Sequence, residues 1–158
     1  MYEERIERAH ALFMQGYNCA QSVTAAFANM YGFSEEQALK MSASFGGGIG
    51  RMRLTCGAAC GLFLLAGLET GVTDPNDREG KGNNYAVVRE LAERFRQQNG
   101  SITCGELLGL TKPSAAATAE GAMPAERTQE YYKKRPCAEI VRGAAQIFAD
   151  YLAEKAVK

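Results

Sequence analysis

The sequence carries no surplus of charge, with 18 lysines and arginines against 18 aspartates and glutamates. That balance argues against a nucleic-acid binder held by bulk electrostatics, although a local basic patch is compatible with it. Long apolar runs are missing as well. The longest, Cys56 to Leu68, covers 13 residues, against the roughly 20 that a spanning helix needs. The charged start, Met1-Tyr-Glu-Glu-Arg-Ile-Glu-Arg8, lacks the apolar stretch of a secretory signal. Cysteine numbers five in 158 residues, well below the roughly 8–10% of a disulfide scaffold. An odd count also prevents complete internal pairing. No C-x-x-C occurs, which removes zinc ribbons, rubredoxin-type knots and thioredoxin motifs. With one histidine, His10, and nothing else in support, a cysteine–histidine hydrolase is not indicated. The expectation is a cytoplasmic protein without nucleic-acid or membrane partners, whose thiols serve packing, metal or redox work.

What is present is helical periodicity. Hydrophobic residues make up 46% and charged residues 23%, as in an ordinary folded protein. Tyr2, Ile6, Ala9 and Phe13 recur at helical steps before Gly16. A second helix begins near Asn18 and carries Ala20, Val23, Phe27 and Met30 toward Gly32. Ser34 with Gln37 reads as a capping box for a third, with Ala38, Met41 and Phe45 on one face. Thr55 can cap a fourth, Cys56 to about Glu69, which is apolar nearly all round and therefore predicted to be buried. Asp74-Pro75 reads as a helix start weakened by Gly80 and Gly82, so the convincing helix begins near Asn83. It carries Tyr85, Val88, Leu91 and Phe95 on one face, Arg89/Glu93 and Glu90/Arg94 on the other, and stops at Gly100. Thr103 with Glu106 reads as another capping box, and a last helix follows Pro136. Residues 110–125 read as linker-like. No period-2 strand pattern of useful length and no internal repeat appears. The expected architecture is all-α, a compact bundle of five or six helices in a single helical domain, 1–158.

Four of the five cysteines fall at predicted helix starts. Cys19 follows Asn18, Cys56 follows Thr55, Cys104 follows Thr103 and Cys137 follows Pro136. A helix N-terminus offers free N–H groups and a positive dipole end, and both favour a thiolate over a thiol. Four such placements suggest helix ends converging on one site, with a thiolate form able to attack disulfides or bind soft metals. Cys60 is set apart. It lies one helical turn from Cys56, where Cβ atoms sit about 5–6 Å apart, against about 3.8 Å in a disulfide. It reads as a core residue.

The glycine run Gly46-Gly-Gly-Ile-Gly50 fits neither phosphate-loop pattern, because G-x-G-x-x-G lacks its last glycine and a Walker A lacks Gly-Lys-Ser/Thr. It reads as a tight turn bringing backbone near Cys56, with Arg51 and Arg53 available to an anion or a thiolate. Gly57, Gly61, Gly67 and Gly143 cost helix propensity and suit close helix packing. Gly48, Gly50, Arg51 and Gly57 are accordingly the candidate cofactor-binding residues. Tyr17, Tyr131 and Tyr132 lie near cysteines as rim or core aromatics.

Gly16-Tyr-Asn-Cys19-Ala-Gln, Gly46-Gly-Gly-Ile-Gly-Arg51, Cys56-Gly-Ala-Ala-Cys-Gly61, Gly100-Ser-Ile-Thr-Cys104, Leu107-Leu-Gly109 and Cys137 together resemble the C_GCAxxG_C_C family. The family comprises small proteins whose redox activity is inferred from their cysteines, and the resemblance runs from about residue 10 to 150. It implies that Cys19, Cys56, Cys104 and Cys137 are the family's four cysteines, and it leaves Cys60 at a variable position.

Three readings follow. The four cysteines could ligate zinc or an iron–sulfur cluster. They could work as dithiol/disulfide couples, with Cys19–Cys56 and Cys104–Cys137 as one of three connectivities. Or the chain is a non-catalytic all-α interaction module with structural core cysteines. Redox activity ranks first, with a redox partner of unspecified identity and a homodimer allowed by the composition.

Overall fold

The computed structural model describes residues 1–110 and 112–158. Ile6, Ala9, Leu12 and Phe13 bury one face of α1 (Glu3–Met14), as their spacing predicts. The second helix, α2 (Cys19–Phe27), continues into a short 3-10 helix, Ala28–Tyr31, closed by left-handed Gly32. α3 (Glu35–Ser42) starts on the predicted Ser34/Gln37 box. Its expected apolar face holds only in part, because Ala38 is buried while Met41 is exposed. α4 (Gly57–Thr70) is the buried helix that its apolar composition requires, and it packs against α2.

The long helix α5 (Arg78–Asn99) begins five residues before the expected Asn83. Its cap is Asp77, whose Oδ1 accepts from the Gly80 N–H at 2.8 Å, and not Asp74. That side-chain bond and α5's packing on α4 offset the helix propensity lost at Gly80 and Gly82. Val87, Leu91 and Phe95 form its buried stripe, while Tyr85 faces solvent. Glu90 pairs with Arg94 as predicted, but Glu93 pairs with Arg96 and not Arg89.

The expectation of five or six helices is corrected. Among the described residues there are nine, because α6 (Cys104–Leu107), α7 (Pro113–Glu120) and α8 (Gln129–Lys134) are short additions to the long ones. α7 lies inside the segment read as linker-like, of which Thr111 is outside the described residues. Neither α7 nor α8 buries a residue fully, so hydrophobic periodicity could not reveal them. Their starts were legible in other terms: Pro113 at the first turn of α7, and Thr128, whose hydroxyl accepts from the Tyr131 N–H at 3.1 Å. The last helix, α9 (Cys137–Ala156), packs on α1, α2, α4 and α5.

The core lies among these long helices. Phe27 and Phe148 meet edge to face with centroids 5.1 Å apart, a geometry worth about 0.5–1.5 kcal/mol beyond area burial. The described residues contain no strand, only one isolated antiparallel bridge between Thr55 and Thr103. None of the described helices is long and apolar enough to cross a membrane.

Candidate functional site

The four family-type cysteines do occupy helix starts. Cys19, Cys104 and Cys137 are the first residues of α2, α6 and α9, and Cys56 is the N-cap of α4 in place of the expected Thr55. At α2 the predicted box is complete: Asn18 Oδ1 accepts from the Gln21 N–H at 2.9 Å, and Gln21 Oε1 accepts from the Asn18 N–H at 3.1 Å. At α6 Thr103 is the N-cap as predicted, but its side chain makes no capping bond. Ser101 stands between the two halves of the expected box, its hydroxyl donating to Glu106 at 2.5 Å and accepting from the Thr103 N–H at 2.9 Å.

Two devices bring these starts together. One is the bridge, in which the Cys56 N–H donates to the Ile102 carbonyl at 2.7 Å and the Cys104 N–H donates to the Leu54 carbonyl at 2.6 Å. Those bonds set Cys56 and Cys104 on neighbouring backbone. The other is small residues. A Cβ at Gly57 would sit 3.1 Å from the Ala20 nitrogen and 3.2 Å from Cys19 Cβ, and one at Gly61 would sit 2.8 Å from Val23 Cβ. Glycine at both positions lets α4 lie against α2. Gly67 faces open space and Gly143 the Gln98 side chain, so they play no such part.

The glycine run is a tight turn, as read, and a strained one. Gly47, Gly48 and Gly50 have positive φ, and so do Ile49, Arg51 and Arg53. A non-glycine residue, and a β-branched one most of all, rarely adopts that conformation, which costs of order 1–3 kcal/mol and persists where surrounding contacts impose it. The N–H groups of residues 49–54 donate to carbonyls of residues 44–49, which leaves them unavailable to a phosphate. The turn instead delivers Arg53 inward. Its side chain is only 2% exposed. Its Nη1 lies 3.6 Å from Cys104 Sγ and its Nε donates to Glu120 at 2.9 Å. Gly48 lies directly beneath, where a Cβ would fall 2.6 Å from Cys104 Cβ.

Cys19, Cys56, Cys104 and Cys137 all line one small cavity of about 60 Å³. Gly48 and Gly57, two of the candidate cofactor-binding residues, border it. Gly50 and Arg51, the other two, do not and face an adjoining groove. Arg51 there holds the end of α7, through Glu120 at 3.3 Å and the carbonyls of Gly121 and Met123. Cys60 stays out of the cavity. It is buried with its thiol toward the Thr55 carbonyl at 3.8 Å, and burial pushes it up to about 11. His10 and Tyr17 do not line the cavity either.

Electrostatics divide the four thiols. Helix starts were expected to depress all of them. Burial overrides this at Cys56, which is pushed up to about 12 although the Ala58 and Ala59 N–H groups oppose the shift. Burial likewise raises Cys104 against the pull of Arg53. Cys19 and Cys137 both line the cavity and act on each other's ionisation. The neighbouring Cys137 raises Cys19 well above the usual thiol range, and burial adds to that. The neighbouring Cys19 lowers Cys137 to about 7, burial opposing and Arg135, Arg127 and Arg53 assisting.

Two of those arginines are absent from the sequence reading. Arg127 donates to the Phe13 and Tyr17 carbonyls at 2.9 Å each, with its guanidinium 4.2 Å from the Phe13 ring centroid. Arg135 lies over the Tyr131 ring at 4.6 Å. The available signal was Arg135 two residues before Cys137; Arg127 left none, because its place depends on docking the segment before α8 onto α1. Among the described residues, no group of three or more histidine, cysteine, aspartate or glutamate side chains is placed to hold a metal ion.

The family described as “Putative redox-active protein (C_GCAxxG_C_C)” matches residues 17–151. The chain belongs to that family. No curated protein and no solved structure matches it.

Proposed function

We propose, with that membership as the premise, that the chain is a dithiol/disulfide redox protein in which Cys137 attacks and Cys19 resolves. The observation that carries this is the one cavity that Cys19 and Cys137 line from the first residues of α2 and α9, and the drawing of Cys137 toward thiolate by Cys19, Arg135, Arg127 and Arg53 supports it. The co-reactant is an organic disulfide. Cys137 Sγ attacks one sulfur, the S–S bond breaks, and the departing sulfur leaves as a thiolate. Cys19 Sγ then attacks Cys137 Sγ of the mixed disulfide, and its proton passes to the second leaving sulfur. The protein loses two electrons as a Cys19–Cys137 disulfide forms, and the substrate is reduced to two thiols. Cys56 and Cys104, kept neutral by burial, form the cavity wall in this reading. Cys19–Cys137 is preferred to the Cys19–Cys56 and Cys104–Cys137 connectivity because Cys137 is the thiol drawn toward thiolate and Cys19 is the largest cause of that shift.

The four sulfurs around one cavity are what supports a second reading, a zinc or iron–sulfur site. Cys19, Cys56, Cys104 and Cys137 would be its ligands, and the ion or cluster would supply structural or electron-carrying chemistry.

One experiment addresses both. Protein prepared without oxygen is assayed for zinc, iron and sulfide, then titrated with a mild disulfide oxidant and mapped by peptide mass spectrometry. The dithiol reading expects reversible loss of two thiols per chain and a Cys19–Cys137 linked peptide, lost in Cys137→Ser and kept in Cys104→Ser. Retention of all five thiols, or near-stoichiometric metal that blocks oxidation, would overturn it.

A further inference from the structure

Beside the cysteine cavity lies a wider groove of about 340 Å³. The two share Arg53, Arg127, Arg135 and Tyr131 in their walls. An elongated molecule can therefore rest in the groove and place one end against the thiols. The cavity itself holds only a few atoms, so anything bulky stays outside it.

The groove is cationic. Arg51, Arg53, Arg127 and Arg135 line it, and among the described residues no carboxylate does. Glu120 occupies Arg51 and Arg53 from behind. Arg127 is anchored by carbonyl oxygens and aromatic rings, which hold its guanidinium without neutralising it. Arg135 is stacked on Tyr131 and has no hydrogen-bond or ion-pair partner among the described residues. Guanidinium groups fixed in this way pre-organise a fork that matches a carboxylate.

We propose that this groove selects small anionic disulfides, with carboxylates on short chains flanking the S–S bond, and presents one sulfur to Cys137. The carboxylate rests on Arg135 and Arg127 in the groove, and the disulfide sulfur enters the cavity. The inference rests on the dithiol reading and supplies its substrate class.

The test uses three disulfides of similar length and different charge: dithiodipropionate (anionic), hydroxyethyl disulfide (neutral) and cystamine (cationic). Reduced protein is mixed with each at one pH and low salt, and thiol loss is followed. Dithiodipropionate is expected to react at least ~10-fold faster than hydroxyethyl disulfide, with cystamine slowest. A free small-molecule thiolate has the opposite order, because like charges repel, and serves as the control. The preference should shrink toward unity in high salt. It should also collapse in Arg135→Gln and return in part in Arg135→Lys. Using the rate ratio removes any general effect of Arg135 on the nucleophile. Equal rates, or a cationic preference, overturn the substrate class and leave the dithiol reading standing. Failure of all three disulfides to consume thiols overturns both.

Discussion

Cys56 and Cys104 are tied together through backbone, by the bridge between Thr55 and Thr103, whereas Cys19 and Cys137 are brought to the cavity by the packing of α2 on α9. Both pairs stand at helix starts and both line the same cavity. They nonetheless differ, since Cys56 and Cys104 are both raised whereas the second pair splits, Cys19 raised and Cys137 lowered. A helix N-terminus alone therefore does not make a thiolate. Desolvation outweighs it unless a neighbouring thiol and nearby cations are added. The lesson carries over to other buried cysteines: position on a helix identifies candidates, and the charges around the sulfur decide among them.

The contrast is broken most directly by alkylation. At pH 7 a small alkylating agent should modify Cys137 first, and Cys137→Ser should slow the fastest phase about 100-fold while Cys56→Ser leaves it unchanged. Equal labelling of the two cysteines by mass spectrometry would erase the distinction. A second test strikes the turn under the bridged pair. Gly48→Ala places a Cβ at positive φ against Cys104 and the backbone of Arg53 and Leu54. It should cost about 2–3 kcal/mol in chemical denaturation. A loss within about 0.5 kcal/mol would show that the turn yields easily. The third and smallest effect is on stability against pH. The depressed Cys137 contributes stability that is complete above the ordinary thiol range and is lost as pH falls through about 7. The raised Cys19, Cys56, Cys60 and Cys104 contribute stability that is complete below that range and is lost as pH rises beyond it. Denaturation midpoints should accordingly crest in mildly alkaline solution, and Cys137→Ser should flatten the acid flank and, by removing the main cause of the Cys19 rise, soften the alkaline one.

The sequence disclosed the long helices and the cysteines' places at helix starts because both leave local marks. Ser34/Gln37 and Asn18/Gln21 are short-range boxes, and each is formed. What escaped was non-local. α7 and α8 bury too little to show a period, and Ser101 bonds to Glu106 between the two halves of the expected Thr103 box. Arg127 reaches the site only because the segment before α8 lies on the end of α1. The partnership of Cys19 with Cys137 is likewise set by packing of α2 on α9, which spacing along the chain cannot express.

That partnership also sets a schedule. Cys19 and Cys137 are separated by 118 positions (137 minus 19) and reach one cavity only through the packing of α2 on α9. Closing so large a loop depends on the intervening helices forming a scaffold first. During synthesis Cys19 emerges long before its partner, without the surroundings that give the pair its polarity. Cys137 therefore gains Cys19 and the arginines around the cavity as neighbours only when the last helix docks on α1 and α2.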